Sequence, residues 1–233
     1  MAPPPSDPPE FHPPVEEYLE AIHTLAEEGT EVIQARIAER IGRSAPSVSE
    51  MLGRLEDDGY IERHGRRLTL TPEGEAIAHR VVRKHRLAER LLVDVIGLEW
   101  HKAHMEAGRW EHVISDEVEA RLVTLLGNPS TCPHGNPIPG GPDQDARTVV
   151  RLSDVTPGAM VKLVRVTEEV EIDTAALSHL GEHGFITGAV AEVVSRSPGG
   201  QVVLQVGDGP VELSPKLSPS LYVTVETPAV PAA

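Results

Sequence analysis

One change in hydrophobic periodicity constrains the fold of this chain more than any other feature. Up to about residue 126 apolar residues recur at helical spacing, whereas beyond residue 145 they alternate with polar residues. The stretch between, Gly127 to Asp145, is rich in proline and glycine and is typical of a hinge. The 233 residues exceed one ordinary domain, so we expect two or three compact units. The predicted fold class is mainly α with a small β domain.

The N-terminal part has the pattern of a winged helix-turn-helix. Val15 to Glu28 predicts a first helix, and Ile33 to Ile41 predicts a second that ends at Gly42. After this tight turn, Ser44 can cap a third helix, APSVSEMLGRLEDDGY. The next segment, YIERHGRRLTLTPEG, predicts a β-hairpin with arginines at its tip. This order of elements is that of a DNA-binding winged helix.

The rest of the chain predicts a helical unit followed by a barrel. Three more helices are expected, at Thr71 to Leu92, Leu98 to Gly108 and Ile114 to Leu126. Together they are too small to bury their apolar faces alone, which favours pairing of two subunits. Beyond the hinge, five short alternating segments with one helix near Asp173 to Leu180 favour a small β-barrel.

Charge and composition restrict the class of protein. The formal charge of −15 opposes nonspecific binding to nucleic acid, but residues 33–68 hold seven arginines against six acids. A locally basic DNA-binding face is therefore compatible with the composition. The single cysteine, Cys132, excludes an intrachain disulfide and a multi-thiolate zinc site. Since no apolar run approaches the roughly 20 residues of a spanning helix, we expect a soluble cytoplasmic protein.

Two groups in the helical unit have the spacing of metal ligands. His85 and Glu89 are four residues apart, so they project from one helix face, although such a pair alone is usually a surface contact. A second group of potential ligands on the adjacent helix strengthens the metal-site hypothesis, because core packing alone does not readily explain two such groups in one small domain. That group stands in HMEAGRWEH and consists of His104, Gly108, Glu111 and His112.

Two further pairs carry weaker signals. Glu17 and Glu20 on the first helix could reach a cation held by Glu111, although spacing alone favours a solvated helix face. Cys132 and His134 resemble a ligand pair, but their Pro/Gly-rich surroundings favour a rigid turn.

Several motifs resemble the diphtheria toxin repressor family, the iron- and manganese-dependent regulators. These are RIAERIG, SAPSVSEMLGRLEDDGY, RKHRLAERLL, RWEHVISDEVEARL and GNPIPG. The resemblance extends from Tyr18 to about Gly140 and, more loosely, over the barrel. It implies a homodimer that binds a palindromic DNA operator when metal is present and represses metal-uptake genes.

The resemblance also implies a division of the chain into domains. The predicted parts are a disordered Pro-rich tail (1–14), a winged helix-turn-helix DNA-binding domain (15–74), a helical metal-binding and dimerisation domain (75–140), a linker (141–150), an SH3-like, FeoA-like β-barrel (151–227) and a disordered tail (228–233).

Two metal sites per subunit follow from the resemblance. The positions that match the ancillary site are His85, Glu89, His104, Glu168 and Glu171. The primary, activating site joins the first helix to the WEH segment, and the positions that match it are Glu17, Glu20, Gly108, Glu111 and His112.

The primary site departs from the iron-type pattern, because Glu17 and Gly108 replace a methionine and a cysteine. The acids Glu17 and Glu20 match manganese-type members, which have a further glutamate where this chain has Gly108. A backbone carbonyl or a water could fill that place. An oxygen-rich set with one imidazole suits Mn(II), and Fe(II) next.

The predicted recognition helix begins with small residues, which would let it enter the major groove deeply. Glu50 replaces a glutamine of iron-type relatives, so the operator is expected to differ. Capping and packing are the alternative explanation for the small residues. The expected DNA-contacting residues are Arg43, Ser44, Ala45, Pro46, Ser47, Ser49, Glu50, Arg54, Arg63, Arg66 and Arg67.

Three alternatives stay open at this point. The first is an Fe(II)-dependent repressor of iron-uptake genes. The second is a metallohydrolase, since clustered metal sites can run hydrolysis, although no separate nucleophile or base motif is visible. The third is a metal-binding interaction protein whose barrel docks a partner.

Overall fold

The computed structural model describes residues 14–142 and 148–226, and these form two compact units. The first unit comprises residues 14–88 and 105–122, and the second comprises 89–104, 123–142 and 148–226. The predicted domain boundaries after residues 74 and 140 stay predictions. Parts of the predicted tails and linker lie outside the described residues, namely 1–13, 143–147 and 227–233.

The first unit begins with the predicted winged helix-turn-helix. Its elements are α1 (Pro14–Glu27), α2 (Gln34–Arg40), α3 (Ala45–Asp57), β1 (Ile61–His64) and β2 (Arg67–Leu70). Gly42 has φ +64° in the turn between α2 and α3, a conformation that favours glycine. Ser44 caps α3 by accepting a hydrogen bond from the Ser47 backbone N–H at 3.4 Å. β1 and β2 pair antiparallel with His64 opposite Arg67, which confirms the hairpin.

One apolar core holds these five elements together. Helical spacing places Leu19 and Ile22 of α1 on the same face, and Leu52 and Leu55 line the inner face of α3. The buried members of this core are Tyr18, Leu19, Ile22, Leu25, Val32, Ile37, Val48, Leu52, Leu55, Ile61, Leu68 and Ala78. The positions between them on α3 are left exposed for other contacts.

The helical stretch continues beyond the hairpin. α4 spans Pro72–Arg90 and runs into a π-helical turn, Leu91–Ile96, which ends at Gly97 with φ +79°. The single predicted helix up to Leu92 therefore changes its hydrogen-bond pattern at its last turn. α5 (Ala103–Ala107) and α6 (Asp116–Leu125) follow.

Ion pairs fix the helices of the first unit to one another. The Arg86 guanidinium donates to Glu27 on α1 at 2.6 Å and 3.0 Å, and both side chains are largely buried. Arg83 donates to Glu119 on α6 at 2.7 Å. Buried charged hydrogen bonds of this kind fix geometry more than they add stability. They set the positions of α1 and α4 around the cluster described below.

The second unit contains a six-stranded antiparallel sheet in the order β3-β8-β4-β5-β6-β7. Its strands are β3 (Val150–Arg151), β4 (Met160–Val166), β5 (Val190–Arg196), β6 (Val202–Val206), β7 (Gly209–Leu213) and β8 (Leu221–Glu226). Two short helices, α7 (Glu168–Ile172) and α8 (Thr174–Glu182), follow β4. β3 and α7 were not expected from the periodicity. β4 and β5 carry irregularities at Leu163/Arg165 and Val193/Ser195, which bend the strands.

Apolar residues at alternate positions along the strands form the core of the second unit. Leu163 of β4, Val193 of β5 and Leu204 of β6 point to the same side and are buried. Phe185, which is 0% exposed, fills the space next to α8. Among the described residues, no helix is long and apolar enough to cross a membrane.

Candidate metal centres and DNA-binding surface

A group of histidines and carboxylates lies in the first unit, supplied by α1, α4 and the turn after α5. Ligand-type atoms of Glu20, His85 and Glu111 all lie within 4.8 Å of one another. Glu111 and His85 are buried, and Glu20 is half-buried. We call these three residues, together with Glu16 and His112, the first cluster.

Close contacts connect the members of the first cluster. His85 Nδ1 lies in short contact with Glu111 Oε2. His112 Nε2 lies 3.1 Å from the other oxygen of Glu111, and His112 Nδ1 lies 2.7 Å from Glu16 Oε2. The side chain of His112 is 1% exposed. α1 is therefore joined through Glu16 to the turn that carries Glu111 and His112.

The electrostatics of the first cluster favour a cation between its carboxylates. Burial alone would raise the pKa of Glu111, but the charge of His85 and hydrogen bonds from His112 and His85 lower it to about 2. Burial alone would lower the pKa of His112, but Glu111 and Glu16 raise it. Protons on the histidines thus balance the carboxylates, and a divalent cation can replace those protons.

The structure brings together three of the residues predicted for the primary site, namely Glu20, Glu111 and His112. Glu17 lies half-buried on α1, where its charge acts on Tyr18, and it is outside the group. Gly108 lies in the turn directly after α5. Sequence reasoning missed Glu16, although Glu16 and Glu20 have the i,i+4 spacing that places two side chains on one helix face.

A second group is buried in the second unit. His104 Nδ1 lies 2.9 Å from Glu171 Oε2 and 3.4 Å from Glu89 Oε1. His134 Nδ1 lies 3.2 Å from the same Glu89 oxygen and 3.6 Å from the same Glu171 oxygen. Glu89 and His134 are 0% exposed, and Glu171 is 3% exposed. We call these four residues the second cluster.

Neighbouring groups fix the orientation of the second cluster. His134 Nε2 lies 3.0 Å from the backbone carbonyl oxygen of Trp100, and the Trp100 indole N–H donates to the Pro133 carbonyl at 3.1 Å. The Asn136 amide donates to the Val166 carbonyl at 3.0 Å and to Glu171 Oε1. The other carboxylate oxygen, Glu171 Oε2, therefore faces the two histidines. Such outer partners are what orient metal ligands in proteins.

The loop that carries His134 is seated directly on β4. Thr131 and Pro137 form an isolated β-bridge, and the Val166 N–H donates to the His134 carbonyl at 3.0 Å. Gly135 has φ +92°, and a Cβ there would collide with the Val164 carbonyl. Only glycine allows so close an approach of two backbones.

The second cluster contains three of the five residues predicted for the ancillary site, namely Glu89, His104 and Glu171. His85, a fourth predicted residue, stands one helical turn before Glu89 on α4. Its ring contacts Glu111 of the first cluster, and its ligand-type atom also lies within 4.8 Å of those of Glu89, His104 and Glu171. Glu168 is half-buried on α7, and among the described residues its carboxylate is not part of either group.

Cys132 and His134 form the predicted tight turn, but they also lie at the second cluster. Ligand-type atoms of Glu89, Cys132 and His134 lie within 4.8 Å of one another. Burial, with the charges of Glu89 and Glu171, raises the pKa of the Cys132 thiol to about 12. Sequence reasoning had set this pair aside because its proline and glycine neighbours explained the turn.

The donor atoms of both clusters fit a divalent first-row metal. Each cluster offers carboxylate oxygens and imidazole nitrogens, which such ions accept. Each also holds two histidines against two or more buried or half-buried acids, and these acids raise the pKa of His112 in the first cluster and of His134 in the second, although burial opposes the shift. The first cluster contains no sulfur, whereas a thiol adjoins the second.

All eleven residues predicted to contact DNA are exposed. They lie at the turn before α3, on α3 itself and on the β1–β2 hairpin. The side chain of Tyr18 on α1 makes a hydrogen bond with Ser47 on α3. α1 therefore contacts both the first cluster and α3, whose exposed face carries the predicted DNA-contacting residues.

Acids in the same unit engage three of the exposed arginines. Arg66 donates to both oxygens of Glu31, the shortest at 2.8 Å, and Arg67 donates to Glu31 at 3.2 Å. Arg63 donates to Glu56 at 3.2 Å. The pKa of Glu31 is lowered by its hydrogen bond with Arg67, with Arg66 adding to the effect. These pairs are exposed, so each contributes little to stability.

Three family models match successive parts of the chain. Residues 10–68 match the N-terminal DNA-binding domain of iron-dependent repressors, and residues 71–140 match their metal-binding and dimerisation domain. Residues 150–225 match the FeoA domain. The C-terminal antiparallel sheet domain is thus of the predicted FeoA-like, SH3-like kind.

Similar proteins agree with this assignment. The iron-dependent repressor IdeR of Mycobacterium leprae is 47% identical over 200 residues, which cover 81% of this chain and 86% of that protein. The diphtheria toxin repressor of Corynebacterium efficiens is 43% identical over 217 residues, covering 89% of this chain and 94% of that protein.

Solved structures give the same fold. A manganese-dependent transcriptional repressor in complex with manganese has a TM-score of 0.80 and 31% identity, covering 91% of this chain and 100% of that one. The members of this family are transcriptional repressors, so the metallohydrolase alternative does not stand. The chain belongs to the diphtheria toxin repressor family and is a metal-dependent DNA-binding repressor.

Proposed function

We propose that this repressor is activated by Mn(II), which the first cluster binds, and that it then represses genes of metal uptake. The observation that carries the proposal is that Glu20 of α1 shares a cluster of oxygen and nitrogen donors with His85 and Glu111. Such a donor set without sulfur suits Mn(II). The first cluster would be the primary site, with His112 as a further ligand.

Activation would follow from the position of α1. Its carboxylates Glu16 and Glu20 face Glu111 and the two histidines, while Tyr18 on the same helix contacts Ser47 of α3. A bound cation supplies the positive charge that holds these acids together. α1 would then be fixed, and through it the recognition helices of a homodimer would be held at the spacing of two half-sites of a palindromic operator.

The second cluster is proposed as the ancillary site, and the exposed face around α3 as the DNA-reading surface. The small side chains Ser44, Ala45 and Ser47 allow close approach to base edges, and the arginines of the hairpin would contact phosphates. Glu50 can accept a hydrogen bond only from a donor such as cytosine N4, which favours an operator distinct from those of glutamine-bearing relatives.

Activation by Fe(II) is the second candidate, and the names of the relatives favour it. The proteins from Mycobacterium leprae and Corynebacterium efficiens are named an iron-dependent repressor and the diphtheria toxin repressor. Manganese is named in the solved structure at 31% identity. The donor atoms of the first cluster are the reason to place Mn(II) first.

Fluorescence anisotropy tests the choice of metal. The protein is titrated anaerobically with Mn(II), Fe(II) or Zn(II) on labelled DNA from upstream of candidate metal-transport genes, with a scrambled duplex as control. Specific binding at Mn(II) concentrations well below the Fe(II) requirement supports the proposal. Equal or better activation by Fe(II) replaces it by the second candidate, and metal-independent binding removes the activation scheme.

A further inference from the structure

Two histidines lie together at the C-terminal end of α8, outside both clusters. His179 is in the last turn of the helix, and His183 directly follows it in the run HLGEH. Because they are four residues apart, their side chains project from the same face. Two histidines at this spacing on one helix can bind the same metal ion. Their ring centres are 4.6 Å apart, with 54° between the ring planes.

The backbone fixes the end of α8 and therefore the position of the pair. Gly184 has φ +69°, and its N–H donates to the Gly181 carbonyl at 3.0 Å. The Phe185 N–H donates to the Leu180 carbonyl at 2.9 Å, and the Phe185 side chain is fully buried. A glycine in the left-handed region and an apolar contact after it are a common way for a helix to end. His183 is thus held in place although it is exposed.

Hydrogen bonds to backbone carbonyls orient both rings. His179 Nε2 lies 3.0 Å from the Glu212 carbonyl oxygen, and His183 Nδ1 lies 2.8 Å from the His179 carbonyl oxygen. A carbonyl oxygen can only accept, so these two ring nitrogens carry the hydrogens. In the neutral rings the lone pairs are then on His179 Nδ1 and His183 Nε2, which have no hydrogen-bond partner among the described residues. Metal-ligating histidines have this arrangement.

The separation of the rings fits a shared ion. An imidazole nitrogen binds Zn(II) at about 2.0–2.1 Å, which places the ring centre about 3.2 Å from the ion. For ligand angles between a right angle and the tetrahedral value, two such ring centres lie about 4.5–5.2 Å apart. The 4.6 Å between His179 and His183 is within this range. The backbone of α8 therefore already holds the two rings at the separation that a shared cation requires.

The electrostatic surroundings favour a cation at this end of α8. The last carbonyls of a helix have no partner within the helix, and they give its C-terminus a partial negative charge. Glu182, which is exposed, precedes His183 directly and adds a carboxylate. The formal charge of the whole chain is −15. Cations are therefore attracted to this place, and an exposed site can exchange its ion with the solvent.

We propose that His179 and His183 form a third metal site, an open one, which binds a late first-row divalent cation such as Cu(II), Ni(II) or Zn(II) and not Mn(II). Imidazole suits these ions, whereas Mn(II) prefers oxygen ligands and is lowest in the affinity order. Two protein ligands leave the other positions of the ion to water or to a donor atom of another molecule. The site shares no residue with either cluster, so it does not rest on the proposed function.

The test counts the ions that the full-length protein binds after its metal has been removed by chelation. Zn(II) and Mn(II) per subunit are measured by equilibrium dialysis and elemental analysis. We expect His179→Gln and His183→Gln each to bind one Zn(II) fewer per subunit than the wild type. The double variant should lose no more than either single variant, because the two side chains share one ion. Mn(II) binding should be the same in all four proteins.

His64→Gln is the matched control. His64 is an exposed histidine 3.3 Å from the Glu62 carboxylate, but it has no histidine four residues away. It should bind as many Zn(II) ions as the wild type, and circular dichroism checks that every variant is folded. Wild-type Zn(II) binding in the His179 and His183 variants overturns the proposal. An equal loss in His64→Gln does so too, since it would show unspecific binding to surface histidines.

Two further outcomes would also contradict the proposal. If the double variant loses two Zn(II) ions, the histidines bind separate ions and do not form one site. If Mn(II) binding falls in His183→Gln, the expected class of metal is wrong. DNA binding is measured separately, and its activation by Mn(II) should persist in His183→Gln, because that variant changes no residue of the first unit. Failure of Mn(II) activation in the wild type would leave the third site untouched.

Discussion

The two clusters use the same ligand types in different surroundings. The first lies where α1 meets the turn after α5, and its α1 carboxylates Glu16 and Glu20 are half-buried. The second is closed off, because Glu89 and His134 are fully buried, His134 is held by the Trp100 backbone carbonyl, and Glu171 is held by the Asn136 amide. A site that regulates must exchange its ion with the cell and respond by moving an element, whereas a site that holds a fold together is better closed. We therefore expect the first cluster to sense the ion and the second to retain it.

The largest expected difference between the clusters is in how much metal binding stabilises the folded protein. Saturating the second cluster with a divalent cation at a free concentration 1,000 times its Kd should raise the free energy of unfolding by about 4 kcal/mol. Thermal unfolding with and without Mn(II) measures this, with the apo protein as reference. His134→Phe should lose most of the increase, and His112→Ala should keep it. Equal stabilisation of the His134→Phe protein would show that the two clusters do not differ in this way.

The next effect concerns activation of DNA binding. His112→Ala removes a side chain that contacts both Glu111 and Glu16, so we expect the Mn(II) concentration at half-maximal DNA binding to rise at least about 100-fold. Glu171→Ala, in the second cluster, should raise it about tenfold or less. The measurement is fluorescence anisotropy on specific DNA. If Glu171→Ala proves the more harmful of the two, sensing belongs to the second cluster.

A smaller effect distinguishes two neighbouring carboxylates. Glu16 contacts His112 at 2.7 Å, whereas Glu17 was the residue predicted from the sequence. We expect Glu16→Gln to weaken Mn(II) activation by about tenfold, since it removes a charged partner of a ligand, and Glu17→Gln to change it little. Isothermal titration with Mn(II) compares the two variants. The opposite order would restore Glu17 to the primary site.

The smallest effect tests whether the DNA-binding surface is independent of both clusters. Glu31→Gln removes the acid that holds Arg66 and Arg67. Exposed ion pairs are worth about 0.2–1 kcal/mol, so DNA affinity should rise by about two- to fivefold, on specific and scrambled DNA alike. Glu39→Gln is a suitable control, because Glu39 pairs with Arg36 on α2 and not with the hairpin. An unchanged affinity for DNA would mean that the hairpin arginines do not contact phosphates.

Local sequence patterns were sufficient for the elements of the winged helix. Its core follows the helical spacing of Leu19 and Ile22, its turn depends on Gly42, and its hairpin depends on the alternation around Gly65. Each of these signals spans fewer than ten residues. The observed structure agrees with these predictions because each signal depends on residues that are close together in the sequence.

The composition of the clusters depends on tertiary contacts that local patterns do not show. Glu16 and Glu17 are separated by about 100° around α1, so the rotation of that helix against the turn at His112 decides which one pairs. His134 is 45 residues beyond Glu89, and no spacing rule connects them. The seating of the 131–137 turn on β4 brings them together.

Gly135 allows the 131–137 turn to lie directly against the backbone of β4. Since no side chain fits between it and the Val164 carbonyl, the turn has little freedom to widen or narrow. We expect the donors of the second cluster to adjust little to the radius of the bound ion, because the turn that carries His134 lies directly against the backbone of β4. Discrimination between ions would then be set when the chain folds, and an ion of the wrong size would be refused rather than accommodated.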